Sequence, residues 1–307
     1  MGRRRKITAE YIAGLIAGGW GSGHGERYQP FMKIEHGNAS TVSNQKLGVL
    51  PDRRGHGHFF SRTEDRIAHL CSWIGARDVR TQFPMWPMEH LHPGVGLKDF
   101  DKLGDVQFDG LIRIANACGI EHGVYVGTRV PYVATMDLMV TVARDHLAEL
   151  AAIAVKPRHS VEEAGSSDRI LERLSLGKHY CASINVSHRI ADIDVLSPTL
   201  NKNLNSYAPH YENVRELRSN SGFIERACEL FHKDIDALSK RELEAKATRD
   251  LNVEKSLAQR AFSYLAWRSS LDVNLAREIF ECDLVPRGAR QVKRVLQENL
   301  FGRAVDE

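Results

Sequence analysis

Residues 134–157 run Ala134-Thr135-Met136-Asp137-Leu138-Met139-Val140-Thr141-Val142, then turn through Arg144, Asp145 and His146. They resume as Leu150-Ala151-Ala152-Ile153-Ala154-Val155-Lys156-Pro157. Two short apolar runs joined by a few polar residues predict a β-hairpin, and the β-branched residues of the first run favour strand over helix. Near-continuous apolar character implies strands covered on both faces. Yet the first run carries a carboxylate, Asp137, and the second ends in an ammonium, Lys156. A buried charge is costly unless it is paired or holds a metal. Side chains alternate along a strand, so Ala154 and Lys156 share one side. An Asp on a central strand and a Lys at the end of its neighbour is how a metal-dependent nuclease presents its reacting groups. A structural Asp–Lys ion pair is the other reading of the same two residues.

Outward from the hairpin, Ser61-Arg62-Thr63-Glu64 has the Ser-x-x-Glu spacing that opens a helix, with Ile67, Ala68, Cys71 and Ile74 as its apolar stripe. Glu64 stands three, four and seven residues before Ile67, Ala68 and Cys71, which puts it on the inward face of the first turn. It either caps the helix or aims a carboxylate toward Asp137, and from the sequence these roles compete. Asp78 to Pro84 alternates as a strand. Residues 89–123 predict a flexible, solvated insertion with a short amphipathic piece at 111–117. Its aspartates lack calcium-loop spacing. A helix bearing Ile170, Leu171, Leu174 and Tyr180, capped at Ser166 or Ser167, and a strand within 183–193 follow.

Near the start, Thr8 caps a helix with Tyr11, Ile12, Leu15 and Ile16 on one face, ended by Gly18 and Gly19. Alternate glycines at Gly21, Gly23 and Gly25 suggest a phosphate cradle. No Gly-Lys-Ser/Thr follows, so a P-loop is excluded, and the stretch reads as a shaped loop that could lie against DNA. His56 and His58 share one side of an extended segment, but no third ligand stands near them.

After Ser197-Pro198 helical patterning takes over. It covers 223–235, a second Ser239-x-x-Glu242 box and a helix after Asn252. The short alternating run Leu271-x-Val273-x-Leu275 and basic residues at Arg287, Arg290, Lys293 and Arg294 follow. Three helices with a small β element suggest a winged-helix module that binds DNA or a protein partner.

The chain has 307 residues, a net charge of +3, 42% hydrophobic and 26% charged residues, which permits a sizeable core in one large or two ordinary domains. The near-balanced charge does not by itself indicate nucleic-acid binding. The basic tail Arg3-Arg4-Arg5-Lys6 can touch phosphates or stay solvated. Five dispersed cysteines with no Cys-x-x-Cys pair argue against a zinc ribbon or disulfide framework and for a reducing compartment. With no long apolar run, the expectation is a soluble, cytoplasmic protein.

Five motifs in order resemble the TnsA family, the endonuclease subunits of heteromeric transposases. They are Gly21-x-Gly23-x-Gly25-x-x-Tyr28-x-Pro30, Ser61-x-x-Glu64, Gln82-Phe83-Pro84, Met136-Asp137 and Val155-Lys156-Pro157. The likeness covers most of residues 7–190 and is weaker beyond. It implies an α/β, restriction-endonuclease-like domain over 1–197 and a mainly helical, winged-helix-like domain over 198–307. It implies a Mg²⁺-dependent DNA endonuclease, with Mn²⁺ as a substitute. Such an enzyme cuts near the 5′ ends of a transposon beside a TnsB-type transposase and a TnsC-type AAA+ regulator. Carried over by residue, Glu64 and Asp137 match the metal ligands and Lys156 the active-site lysine, with the Val155 carbonyl as a further ligand. The chain departs from the family at Ala154, where a Gln is common and where an alanine has no ligand atom. That departure supports an alternative, a catalytically weak scaffold joining transposase, regulator and DNA.

Overall fold

The computed structural model describes residues 7–34, 45–51, 56–156, 168–219 and 222–305. The basic tail, Pro157 and the Ser166 or Ser167 cap lie outside the described residues. The protein is mixed α/β, with a short antiparallel pair, β1 (Lys46–Val49) and β2 (His56–Phe59), ahead of its main sheet. Its centre is a four-stranded sheet in the order β3 (Asp78–Met85), β6 (Ala134–Arg144), β7 (Leu147–Val155) and β8 (Ser187–Ala191). The predicted hairpin is the β6–β7 pair, in register from Leu138 with Ile153 to Arg144 with Leu147, and its tip places Asp145 and His146 at positive φ. β3 runs antiparallel to β6. β8 runs parallel to β7, so it must be reached by a crossover, and helix α4 (Asp168–Ser183) supplies it.

Both faces of the sheet are covered, as the apolar runs of β6 and β7 require. One face packs on α2 (Arg62–Trp73) through Leu138, Val140, Ile153 and Val155. The other packs on α4 and on α3 (Leu111–Ala117) through Met136, Met139, Ala152 and Ala154. The 89–123 stretch is therefore not the solvated loop expected from its glycines and aspartates. It holds the short pair β4 (His90–Leu91) and β5 (Gln107–Phe108), and Leu111, Ile114 and Ala115 are buried in the second cluster. Buried His92 faces the Ile184 carbonyl and accepts from the Gly94 amide. A few apolar residues spaced among polar ones anchor the segment, a pattern too sparse for periodicity to show.

The first helix, α1 (Ala9–Ala17), is capped by the Thr8 side chain as expected. The glycine-rich loop after it packs against β3. Gly21 and Gly23 have positive φ, and a Cβ at Gly21 would strike Pro84. The Gly25 amide donates to Asp78 Oδ2 at 2.9 Å. These glycines permit close approach to a strand.

After Ser197, whose side chain caps α5 (Pro198–Tyr207), the described chain is helical. It contains α6 (Tyr211–Ser219), α7 (Phe223–Asp234), α8 (Lys240–Asp250), α9 (Lys255–Trp267) and α10 (Ala289–Phe301). The alternating run Leu271–Leu275 is not a strand: it makes one bridge, Val273 to Arg287. Asp272 there has φ of 52°, and its carboxylate accepts from the amides of Gly288 and Arg290. Alternation here records a turn whose apolar residues are buried. α9 is entered through Glu254, two residues later than Asn252 suggested. Leu70 and Trp73 of α2 lie in the same apolar cluster as Leu204, Phe231, Phe262 and Leu300, so the core is continuous across residue 197. Gln297 Nε2 of α10 donates to the Ile74 carbonyl at 2.7 Å. None of the described helices is long and apolar enough to cross a membrane.

Candidate active site

Asp137 sits where the ladder between β6 and β7 ends. The last registered pair is Leu138 with Ile153. Beyond it the Val155 amide, which a continuing ladder would pair with a carbonyl, donates to Asp137 Oδ2 at 2.7 Å. Lys156 Nζ donates to the same oxygen at 2.8 Å and to the Val155 carbonyl at 3.0 Å. The Asp137 side chain is 15% exposed and that of Lys156 37%. The structural ion pair is thus present, at the partly exposed end of the β6–β7 ladder.

The sheet also changes face here. Leu138 belongs to the cluster under α2, while Met136, two residues away, belongs to the cluster under α4. On β3, Val79 and Phe83 divide the same way. Strict alternation would keep each pair on one face. The change falls at Gln82 and Asp137, the rung between the registered pairs Thr81–Leu138 and Phe83–Met136. Gln82 has φ of 51°, a left-handed conformation uncommon for a residue with a side chain. This kink lets a central strand present a carboxylate at the α2 side.

Glu64 approaches from the first turn of α2. The Ser61 hydroxyl accepts from the Glu64 amide and donates back to Glu64 Oε1, both at 3.1 Å. Glu64 Oε2 accepts from the Phe60 amide at 2.9 Å and from Gln82 Nε2 at 3.1 Å. The two roles proposed for Glu64 therefore coexist in one conformer. The amide it caps is that of Phe60, one residue before the N-cap, which leaves the carboxylate leaning toward β3 and β6. Burial pushes the Glu64 carboxyl up to about 7, and the Asp137 charge adds to it. The Phe60 amide, the Ser61 hydroxyl and Lys156 pull the other way. Two inward carboxylates that repel one another at near-neutral pH are a recognised mark of a functional site.

The structure brings Glu64, Asp137, Val155 and Lys156 together. It adds Gln82, which sequence reasoning noted in a motif but gave no role. Its signal, a buried polar residue in a strand, is weak without the backbone angle. Ala154 is 6% exposed and belongs to the cluster under α4. His58 Nδ1 is engaged by the Ile34 amide, and no described group of three or more His, Cys, Asp or Glu side chains could hold a metal.

A hard divalent cation nonetheless suits this oxygen-only set, provided water completes its shell. Lys156 Nζ itself shows the fit. An ammonium bridges Asp137 Oδ2 and the Val155 carbonyl, two of the oxygens a cation would use. A cation held by these oxygens would compete with the lysine, whose side chain is partly exposed.

No family model matches this chain. Over 198 residues it is 26% identical to the transposon Tn7 transposition protein TnsA of Escherichia coli. The chain is similar to TnsA. The match covers 63% of this chain and 60% of TnsA. It bears out the resemblance read from the motifs, with the chain spanning about three-fifths of that relative's length.

Proposed function

We propose that this protein is the DNA-cutting subunit of a heteromeric transposase. On this reading it hydrolyses phosphodiesters near the 5′ ends of a transposon during cut-and-paste transposition. The observation that carries the proposal is the convergence of Glu64 from α2 and Asp137 from β6, with the Lys156 ammonium beside them. The likeness to TnsA supports it. Residues 1–197 would be a restriction-endonuclease-like unit and 198–307 a winged-helix-like one. Partners would be transposon-end DNA, a TnsB-type transposase and a TnsC-type AAA+ regulator, in the bacterial cytoplasm.

Glu64, Asp137 and the Val155 carbonyl would hold Mg²⁺, or Mn²⁺ in its place. Bound there, the ion would polarise the scissile phosphate and lower the pKa of an attacking water. The protein's own groups do the rest. Lys156, displaced from Asp137, offers a point charge to the phosphate or orients the water. The burial that raises Glu64 also strengthens every charge interaction in the cleft. A second reading, a catalytically weak scaffold, is favoured by Ala154, which has no ligand atom and lies buried. Nicking of transposon-end DNA by the purified full chain with its partner transposase and Mg²⁺ separates the two. Cleavage lost in Asp137→Asn supports the nuclease. No cleavage by wild type at any Mg²⁺ or Mn²⁺ concentration leaves the scaffold.

A further inference from the structure

We infer that Gln82 is a positioning residue that holds the Glu64 carboxylate in its working orientation through a strained, left-handed turn of β3. The inference rests on the nuclease reading above and extends it to a residue of the central strands.

Gln82 is 3% exposed and sits within an eight-residue strand, where a left-handed φ of 51° interrupts the pleat. Glycine or asparagine occupies such a conformation with less strain. A glutamine persists there only if its surroundings over-determine it, and strain of this kind gathers at functional sites. The turn directs the carbonyl and both side-chain polar atoms of the residue to partners on three other segments. The carbonyl accepts from the Phe31 amide at 3.3 Å. Side-chain Oε1 accepts from Thr135 Oγ1 at 2.9 Å, and Nε2 donates to Glu64 Oε2 at 3.1 Å. The amide cannot be reversed while Glu64 is ionised, because a carboxylate only accepts and an amide oxygen facing it would be repelled. The Glu64 charge thus sets which way the amide points, Thr135 on β6 holds its other end, and the amide links Glu64 on α2 to β6. The tie joins the helix to the rung that carries Asp137, the two elements whose separation sets the distance between the carboxylates.

The test uses the full chain with its partner transposase, comparing wild type with Gln82→Asn and Gln82→Gly. Asparagine tolerates the left-handed backbone but its amide is one methylene short. Glycine relieves the backbone and removes the amide. Both should keep the Tm within about 4 °C of wild type. Both should lower kcat for end cleavage by roughly a hundredfold, the scale of a small misplacement of a catalytic group. KM for DNA should change by no more than about threefold, since no DNA-binding charge is altered. In metal-free protein the ¹³Cδ resonance of Glu64 should move in both variants. Wild-type kcat in Gln82→Asn, or loss that follows Tm across the two variants, overturns the proposal, as does an unmoved Glu64 resonance. If wild type itself does not cut, the nuclease reading fails instead, and the resonance still decides whether Gln82 holds Glu64.

Discussion

Two helices of this protein open on the same Ser-x-x-Glu pattern, α2 at Ser61–Glu64 and α8 at Ser239–Glu242, and each serine oxygen accepts from the glutamate's own amide. Glu242 closes its box on the Ser239 amide at 2.8 Å and stays in solvent. The Ser239 hydroxyl and amide hold its carboxyl below the ordinary glutamate value. Glu64 accepts one hydrogen bond more, yet its carboxyl is raised to about 7. Hydrogen bonding does not explain the difference. The Glu242 carboxylate is exposed, whereas Glu64 is buried against the sheet, where desolvation and the Asp137 charge outweigh the cap. A local motif sets the bonds of a helix terminus, while the surface it abuts sets the sign of its electrostatics.

Removing the charge that distinguishes the two termini should have the largest effect. On the nuclease reading, Asp137→Asn should lower end cleavage at least about a thousandfold. The fold should survive, because asparagine can still accept from the Val155 amide. Nicking assays and thermal unfolding on the same preparation check both halves. Cleavage at the wild-type rate would remove Asp137 from the site.

The pair Glu64→Gln and Glu242→Gln tests the comparison itself. Glu64→Gln should abolish most cleavage yet stabilise the metal-free protein at neutral pH, whereas Glu242→Gln should leave cleavage alone and weaken the fold slightly. The signs follow from the shifts. Between about 4.5 and 7 the folded protein holds a proton on Glu64 that the unfolded chain has released. Raising pH through that window therefore weakens the fold, by about 3 kcal/mol once Glu64 is fully ionised. Glu242 acts in reverse: its contribution is complete above the ordinary value of 4.5 and is lost as pH falls through its lowered one. Denaturant melts from pH 4 to 8 in chelator (roughly the window where carboxylates dominate stability) should show the Glu64 slope vanish in Glu64→Gln alone. Equal slopes in both variants would break the contrast.

A smaller effect concerns the ammonium that offsets the buried charges. Lys156→Met removes the ammonium from Asp137 Oδ2 and from the Val155 carbonyl, so Ca²⁺ affinity by calorimetry should rise a few-fold, the worth of a partly exposed ion pair. Cleavage should fall nonetheless. Weaker Ca²⁺ binding in this variant would mean that lysine and metal do not compete for these oxygens.

The smallest gain is expected at Ala154. Ala154→Gln adds a ligand-bearing side chain, but the methyl it replaces is packed under α4. Overpacking there should destabilise by about 1–3 kcal/mol. Any rise in metal affinity should be modest, and titration of cleavage with Mg²⁺ in both proteins measures it. A large rise without loss of Tm would show that residue 154 faces the cleft rather than the core.

The sequence by itself determined the β6–β7 hairpin, the caps at Thr8, Ser61 and Ser239, the piece at 111–117 and the helical second half. These are local matters, set by periodicity and by side chains that reach backbone groups three residues away. It also singled out Asp137 and Lys156, because a charge in an apolar strand stands out against its neighbours. It did not reveal that 89–123 is anchored in the core, that 271–275 turns rather than pairs, or that Glu64 can cap and face Asp137 at once. Only the tertiary structure decided those, since each depends on which surface a segment meets. The Gln82 kink belongs with them. Its φ is held by Phe31, Thr135 and Glu64, residues far from it in the chain, and no local preference of a glutamine in a strand would have placed it there.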